Sequence, residues 1–302
     1  MRTAVCVATF QRPDGLRTLL RSLIDQRGMD EQFLIVVVDN DPAGSANEVV
    51  KEFVREKVAI RYEVEPEPGI PAARNRSIAI ARREGVAFVA FIDDDEFASP
   101  YWLSTMVARI ETTGASAISG PVEPIFPSNH PEWVHTTRLY HRTTFPDGAK
   151  LEFASTANSL LRLEAVAGIQ EPFDRSLQFT GGSDTFLYRS LRQRGGSIIW
   201  EPAGLVYESV PESRLSLKWI LTRSYRHGVT LGLSDRRLAP SYRRLVTRAI
   251  RGIVQFPIGL MVAGASLVRR NDHWRGGLSR LARGAGVLVG LTGRSFEEYR
   301  RT

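Results

Sequence analysis

The chain has 302 residues, 43% of them hydrophobic, and a formal net charge of +7. This length allows one large domain or one domain with an extension, and the apolar fraction is too low for a polytopic membrane protein. The single cysteine, Cys6, excludes a disulfide framework and a cysteine-based metal site. Because the apolar run at residues 4–8 is too short for a secretory signal, we expect a first strand there and a cytoplasmic location.

Residues 1–122 alternate predicted strands with predicted helices. We expect strands at residues 3–10, 33–39, 58–64, 86–92 and 115–120, and helices at 13–26, 45–55, 70–84 and 100–112. This alternation predicts an α/β fold with a Rossmann-like, mostly parallel sheet flanked by helices. In such sheets ligands bind outside the carboxyl ends of the strands.

The run FIDDDE at residues 91–96 is the most informative stretch of the chain. Residues 88–92 are all apolar and predict a strand buried on both faces, and Asp93, Asp94 and Asp95 follow it directly. Two carboxylates in the spacing of Asp93 and Asp95 can share one divalent cation, which normally keeps phosphate oxygens as further ligands. The alternative is a solvated acidic turn without a ligand.

Polar residues also follow other predicted strands. The first strand ends at Thr9, with Arg12 just beyond it, and the second ends at Asp39. If strands one, two and four are neighbours, these side chains meet the acidic run in one crevice. Asp39 could accept from a base imide or a ribose hydroxyl, or simply form a turn. Arg74, on the third predicted helix, could pair with a phosphate or stand in solvent.

The second half of the chain is less regular. Residues 123–150 contain four prolines and predict a long irregular segment. Its aromatic residues could form a lid over an acceptor sugar or pack onto the domain: Trp133, His135, Tyr140 and His141. Residues 151–208 predict short strands around a helix at 184–194. Ser183 or Asp184 could cap that helix, and Asp184 could instead reach into a cleft as a general base.

The last part of the chain differs in charge. Residues 214–302 contain 18 Lys and Arg and four Asp and Glu, whereas the rest carries a net charge of −7. Apolar stretches at 253–268 and 281–291 are flanked by arginines and fall short of the about 20 residues of a spanning helix. With the basic segment 214–228, they predict helices that lie on an anionic membrane surface. A packed soluble extension and a two-pass hairpin are the alternatives.

Seven segments, in order, resemble the family 2 glycosyltransferases, which have the GT-A fold. They are VCVATFQRP, IVVVDND, GIPAARN, FIDDDE, SGPVEP, GGSDTFLYRSL and WEPAGLVYESVPESR, and they cover about residues 3–230. Within the family the sequence most resembles the ExoM-like enzymes of succinoglycan biosynthesis, chiefly through FIDDDE, GPVEP and the VYES segment.

The resemblance implies a domain organisation and an activity. A GT-A domain would occupy residues 1–212, with a nucleotide-sugar half at 1–122 and an acceptor and catalytic-base half at 123–212, followed by the basic helical extension at 213–302. The activity would be an inverting, metal-dependent transfer from a UDP-sugar, with glucose the first to test, to a glycan or polyprenyl-pyrophosphate-linked acceptor in bacterial polysaccharide synthesis. The enzyme would be peripheral on the inner face of the membrane.

The resemblance also assigns roles by position. Asp95 would be the principal ligand of Mg²⁺ or Mn²⁺, Asp93 would face the ribose or share the metal, and Asp184 would be the general base. The other donor-site residues would be Thr9, Arg12, Asp39, Arg74 and Asp94.

Two positions depart from the pattern of the family, and the acceptor side is less defined. Ser183 stands where many members have Glu, and Glu208 stands where many GT-A enzymes have a late His. Glu208 could therefore supply a metal ligand or hold a loop arginine. Trp133, Tyr140 and Ser183 are the candidates for acceptor contacts.

Two other classes of function stay open at this point. A nucleotidyltransferase on a related sheet usually has a Gly-rich, Lys- or Arg-bearing loop after its first strand, and TFQRPDG lacks it. A non-catalytic protein on a GT-A-like scaffold could use its basic tail to bind nucleic acid or a membrane. The long apolar stretches of the tail favour lipid, so we expect no nucleic-acid partner.

Overall fold

The computed structural model describes residues 3–29, 33–54, 56–136, 140, 142–238 and 241–297. The chain forms two compact units. The sheet unit comprises residues 1–123, 143–178 and 183–209, and the helical unit comprises residues 124–142, 179–182 and 210–302. The irregular segment that we expected beside the catalytic base is thus mostly part of the helical unit, because its aromatic residues pack there.

The sheet unit is built on a seven-stranded sheet. The strands in chain order are β1 (Thr3–Thr9), β2 (Leu34–Asp39), β3 (Ala59–Val64), β4 (Phe88–Ile92), β5 (Glu96–Ala98), β6 (Ala117–Ser119), β7 (Val122–Ile125), β8 (Asn158–Arg162), β9 (Ile198–Trp200) and β10 (Val206–Ser209). The sheet has the order β3-β2-β1-β4-β8-β6-β9, and a second, three-stranded sheet has the order β5-β10-β7. In the large sheet only β8 runs antiparallel to its neighbours.

Helices cover both faces of the sheet. They are α1 (Pro13–Ile24), α2 (Asn47–Lys51), α3 (Ile70–Arg83), α4 (Trp102–Thr113) and α5 (Ser183–Gln193). β4 and the interiors of β1 and β2 are apolar, and alternate side chains enter two separate cores. On one face Val5 and Val7 meet Leu16 and Leu20 of α1, whereas on the other Ala4 and Cys6 belong to the core that contains Ile78 of α3.

The predicted elements of residues 1–122 agree with the structure, apart from their ends. The largest difference is α2, which spans Asn47–Lys51 rather than residues 45–55; residue 55 itself lies outside the described residues. The segment enters α2 through a turn in which the buried Asp39 carboxylate accepts a hydrogen bond from Ala46 N. That turn delays the start of the helix.

Three long helices dominate the helical unit: α6 (Leu217–Leu238), α7 (Tyr242–Val268) and α8 (Trp274–Leu291). The α8 helix approaches both others through glycines. A Cβ atom on Gly286 would lie 2.0 Å from the carbonyl oxygen of Tyr225 on α6, and one on Gly277 would lie 2.6 Å from the carbonyl oxygen of Gly259 on α7. Backbones can approach this closely only where side chains are absent.

The α7 helix corrects one expectation. The sequence suggested that the apolar stretch at 253–268 is too short for a spanning helix, but α7 is one helix of 27 residues that continues through Pro257. Among the described helices, α7 is the one with the length and apolar composition to cross a membrane. Buried helices of soluble proteins can share these two properties, so they do not by themselves place the helix in a bilayer.

Candidate active site

The carboxyl ends of three neighbouring strands bring the predicted donor-site residues to one edge of the sheet. In the register of β1 and β2, Thr9 lies opposite Asp39. On its other side β1 pairs with β4, and Asp93 follows the last residue of β4. The condition stated for strands one, two and four is therefore met, with β1 between β2 and β4. We call residues 93–96 the acidic turn.

Asp94 is the buried carboxylate of the acidic turn. It is 5% exposed, and its two oxygens accept from Thr9 Oγ1 and from Arg12 Nη1, each at 2.9 Å. Burial raises the pKa of Asp94 to about 6, with Asp95 and Asp93 adding to the rise and Arg12 and Thr9 opposing it. Asp94 is thus held by protein groups and ties the end of β1 to the acidic turn.

Asp93 and Asp95 flank this buried carboxylate and are more open. Asp93 accepts a hydrogen bond from Arg74 Nη2 at 2.9 Å, and Asp95 accepts one from Arg12 Nη1 at 3.1 Å. Arg74 is itself fixed, because its guanidinium lies 5.8 Å from the ring centroid of Phe173. Arg74 and Asp93 are thus paired beside the acidic turn, and their roles beside a diphosphate stay predictions.

Asp39 is fully buried and serves the protein's own turn. Its Oδ1 accepts from Asp41 N at 3.0 Å, and its Oδ2 accepts from Ala46 N at 2.7 Å and from the hydroxyl of Tyr62 at 3.0 Å. Burial and then Asp39 raise the pKa of Tyr62. These contacts are those of the turn alternative, and a nucleoside contact by Asp39 stays a prediction.

Asn40 and Gln11 support this edge, and sequence reasoning missed both. The amide of Asn40 donates to the carbonyls of Glu65 and Glu67, and its Oδ1 accepts from Gly69 N at 2.9 Å. Asn40 therefore fixes the turn before α3, which carries Arg74. Gln11 has a backbone φ of 52°, unusual outside glycine, and donates to Asp41 Oδ2 at 3.1 Å. The DND run hints at Asn40, but no local pattern indicates the strained backbone of Gln11.

Asp184 lies in the first turn of α5. Its Oδ1 accepts a hydrogen bond from Thr185 N at 2.6 Å. One turn later the buried hydroxyl of Tyr188 donates to Ser159 Oγ at 2.7 Å, and Ser159 lies opposite Phe91 in the register of β8 and β4. Burial raises the pKa of Tyr188, Asp184 adds to the rise, and Arg74 opposes it.

These interactions relate the predicted base to the acidic turn. Asp184 and Arg74 both act on the phenol of Tyr188, and Arg74 is bonded to Asp93. The α5 helix also packs through Tyr188 into the buried core that contains Phe91 of β4. Ser183, which begins α5, is buried. The roles of Asp184 as base and of Ser183 as acceptor contact stay predictions.

Glu208 lies on β10, beside the acidic turn. It lies opposite Glu96 of β5, and the next residue, Ser209, donates its N–H to the carbonyl of Asp95 at 2.9 Å. Within the described ranges, no group of three His, Cys, Asp or Glu side chains is arranged to hold a metal ion. Asp93 and Asp95 nevertheless offer the hard oxygen donors that Mg²⁺ and Mn²⁺ prefer, and such ions commonly use one or two carboxylates plus substrate phosphates.

The candidate acceptor aromatics belong to the helical unit. Tyr140 is buried, stacks on Trp219 with ring centroids 5.5 Å apart, and donates its hydroxyl to the carbonyl of Arg214 at 2.7 Å. Trp133 is half-buried, and the guanidinium of Arg275 lies 4.8 Å from its ring centroid. Tyr140 thus serves the core of this unit. His141 lies outside the described residues, and an acceptor lid stays a prediction.

The family model for glycosyl transferase family 2 matches residues 4–169, which is more than half of the chain. The chain therefore belongs to the family 2 glycosyltransferases and is an enzyme of that class. It is similar to the succinoglycan biosynthesis protein ExoM of Rhizobium meliloti (strain 1021), with 34% identity over 301 residues, 97% of this chain and 94% of that protein. Glycosyltransferase AglE of Haloferax volcanii is 24% identical over 180 residues, 59% of this chain and 58% of AglE.

Solved structures of TarS from S. aureus share the fold. TarS 1-349 in complex with UDP aligns with a TM-score of 0.53 and 15% identity, covering 97% of this chain and 92% of that one. The complex with UDP-GlcNAc gives a TM-score of 0.52 and 14% identity, covering 99% and 93%. At this identity the likeness concerns the fold alone. The predicted GT-A architecture and the resemblance to ExoM are both confirmed, and the nucleotidyltransferase alternative loses its support.

Proposed function

We propose that the protein transfers a sugar from a UDP-sugar, with inversion, to a glycan or polyprenyl-pyrophosphate-linked saccharide during synthesis of a bacterial polysaccharide. One observation carries the proposal: at the carboxyl edge of the sheet, Arg74 pairs with Asp93 of the acidic turn at 2.9 Å, so a cation lies beside the carboxylates there. The name of the relative ExoM supports a polysaccharide product. The UDP and UDP-GlcNAc complexes of TarS support a UDP-sugar donor, and we take UDP-glucose as the first to test.

Asp184 would act as the general base. Its Oδ1 is occupied by Thr185 N, whereas no hydrogen bond to Oδ2 occurs within the described part of the chain. An oxygen available in this way can accept the proton of an acceptor hydroxyl while that hydroxyl attacks the anomeric carbon. The attack comes from the face opposite the UDP leaving group, so the configuration at the anomeric carbon inverts.

The donor diphosphate would lie against the acidic turn. Asp95, with Asp93, would hold Mg²⁺ or Mn²⁺, and the bound ion would neutralise charge that develops on the departing UDP. The guanidinium of Arg74 has a planar fork of donors that matches phosphate oxygens and would orient the diphosphate beside Asp93. Thr9 and Asp94 would keep the turn in place, because their hydrogen bond joins it to β1.

We further propose that the helical unit attaches the enzyme to the inner face of the cell membrane. The α7 helix exposes large apolar side chains along one side: Val246, Ile250, Ile253, Leu260, Met261 and Leu267. Exposed apolar residues in such a row, on a unit rich in arginine, suit the boundary between acyl chains and anionic headgroups. Co-sedimentation should occur with anionic vesicles and decrease in neutral vesicles. Attachment through α7 would be contradicted if added salt removed binding to both kinds of vesicle equally and Leu260→Asp bound as wild type does.

The donor is tested with a panel of nucleotide sugars. UDP-glucose, UDP-galactose, UDP-GlcNAc and UDP-glucuronic acid are incubated with the enzyme and Mn²⁺ or Mg²⁺, and released UDP is measured. We expect one of them to be turned over far faster than the rest. If none is turned over and isothermal titration detects no binding of UDP with Mn²⁺, the proposed donor class is wrong.

A further inference from the structure

The guanidinium of Arg12 occupies the position at the acidic turn that a metal ion on Asp95 would need. Its Nη1 atom lies 2.9 Å from Asp94 Oδ1 and 3.1 Å from Asp95 Oδ2, so one guanidinium nitrogen bridges the two carboxylates. The Asp95 side chain is 19% exposed and that of Arg12 is 49% exposed. A carboxylate oxygen that contacts a guanidinium is less available to a metal ion, and the nearby positive charge opposes that ion.

The side chain of Arg12 can move away from the acidic turn while its backbone stays in place. Its backbone is fixed at the start of α1, where its carbonyl accepts from Leu16 N at 3.0 Å and Pro13 follows as the first helical residue. The helix is also held against the acidic turn, because a Cβ atom on Gly15 would lie only 2.4 Å from the carbonyl oxygen of Asp94. Rotation of the exposed guanidinium would release Asp95 without moving the backbone.

Asp94 keeps a partner when this happens. Thr9 Oγ1 still donates to its Oδ2 at 2.9 Å, so the buried carboxylate does not lose every hydrogen bond. The released guanidinium has a planar fork of donors that matches phosphate oxygens. A metal ion on Asp95 would hold the donor diphosphate close to it. The same arginine can therefore neutralise the turn before the donor binds and contact the donor afterwards.

We propose that Arg12 is a resident counter-ion that competes with the divalent cation for Asp95 and moves to the donor diphosphate when metal and donor bind together. This proposal rests on the proposed function. It makes Arg12 a positioning residue that couples the two ligands: the metal binds weakly alone and more tightly with UDP, and by linkage UDP gains the same factor from the metal.

Mn²⁺ affinity is measured from the electron paramagnetic resonance signal of free Mn²⁺, with and without saturating UDP. The variants are Arg12→Gln, Arg12→Lys and Arg17→Gln. Arg17 is the matched control, because it lies on the same helix but pairs with Glu52 at 2.8 Å, outside the acidic turn. Without UDP, we expect Arg12→Gln to bind Mn²⁺ about fivefold or more tighter than wild type does. We also expect UDP to increase the Mn²⁺ affinity of Arg12→Gln by a smaller factor than it increases that of wild type. Arg12→Lys and Arg17→Gln should stay near wild type.

The outcomes separate the inference from the function on which it depends. If wild type and Arg12→Gln bind Mn²⁺ equally without UDP, and UDP tightens both equally, Arg12 does not compete and the inference is wrong while the metal site stands. If Asp95→Ala binds Mn²⁺ as wild type does, or wild type binds none even with UDP, the proposed metal site and the inference both fail. Circular dichroism of the variants shows whether each is folded.

Discussion

Glycine contacts between α6 and α8 give the sharpest test of the helical unit. In Gly286→Ala the new Cβ atom would lie 2.0 Å from the carbonyl oxygen of Tyr225 and 3.0 Å from Val229 N. Cβ atoms do not approach other atoms closer than 3.0 Å, so the two helices must separate by about 1 Å. Both partners are helical backbone, which cannot rotate away as a side chain can.

The expected size follows from two opposing effects. Overpacking of this kind costs about 1–3 kcal/mol, and replacing glycine by alanine inside a helix recovers up to about 1 kcal/mol. Gly264→Ala on α7 is the matched control, because a Cβ atom there meets nothing within 4 Å. It should gain the helical contribution alone. That contribution is common to both variants, so they should differ by the overpacking cost, roughly 1–3 kcal/mol.

Thermal unfolding followed by circular dichroism measures this difference. We expect the Tm of Gly286→Ala to lie about 2–10 °C below that of Gly264→Ala, which should equal or exceed the wild-type value. Equal Tm values for the two variants would refute the close packing of α6 and α8. A drop in Gly264→Ala alone would instead show that α7 packs differently.

Three further predictions concern single side chains. Asp184→Asn should lower the transfer rate by about 10²–10⁴-fold and leave UDP binding intact, and an unchanged rate in a transfer assay would remove Asp184 as the base. Arg74→Lys should raise the donor KM by about tenfold or more, because it weakens a charged contact beside Asp93, and steady-state kinetics showing no change would contradict that. Burial lowers the pKa of His227, and so do the nearby Arg223, Arg226, Arg283 and Arg142. The stability that neutral His227 contributes is therefore fully present above the ordinary histidine pKa of about 6.5 and is lost as the pH falls below it. Between pH 7.5 and 5.5 the Tm of wild type should fall more than that of His227→Gln; equal falls would disprove the effect, and His273→Gln is the exposed control.

The strands of residues 3–120 could be predicted, apart from the short β5, because each of the others carries a local signal. β1, β2 and β4 are uninterrupted apolar runs that end in polar residues, and a parallel sheet brings such ends to one edge. The alternation of strands and helices predicted the parallel sheet, but the order of the strands was only a condition until the structure placed β1 between β2 and β4. Thr9, Asp39 and Asp93 could therefore be named as candidates from the sequence, whereas the supporting contacts of Asn40 and Gln11 could not.

The contacts that complete the site depend on distant pairings. β8 inserts antiparallel between β4 and β6, and only this topology brings Ser159 within reach of Tyr188. Asn158, at the start of β8, bonds the indole of Trp102 and the carbonyls of Pro121 and Gly204, which are far apart in sequence. No periodic pattern encodes such pairs, because each needs two segments to be placed first.

The continuity of α7 could not be predicted for a different reason. Proline usually ends a helix, since it lacks an N–H and its ring crowds the preceding turn. Pro257 is exposed on the side opposite Gly252 and Gly259, which contact α8. The packing of these glycines holds both halves of the helix, so tertiary contacts outweigh the local preference.

The most direct test of the central claim is whether the release of UDP depends on a metal ion and on Asp95. With the donor identified from the panel, UDP release is measured for wild type and Asp95→Ala, each with Mn²⁺ and with EDTA. We predict that EDTA and Asp95→Ala each reduce the rate by about 100-fold or more, and that EDTA has no further effect on the variant. Full activity of Asp95→Ala, with the same response to EDTA as wild type, would contradict the assignment of the acidic turn as the donor site.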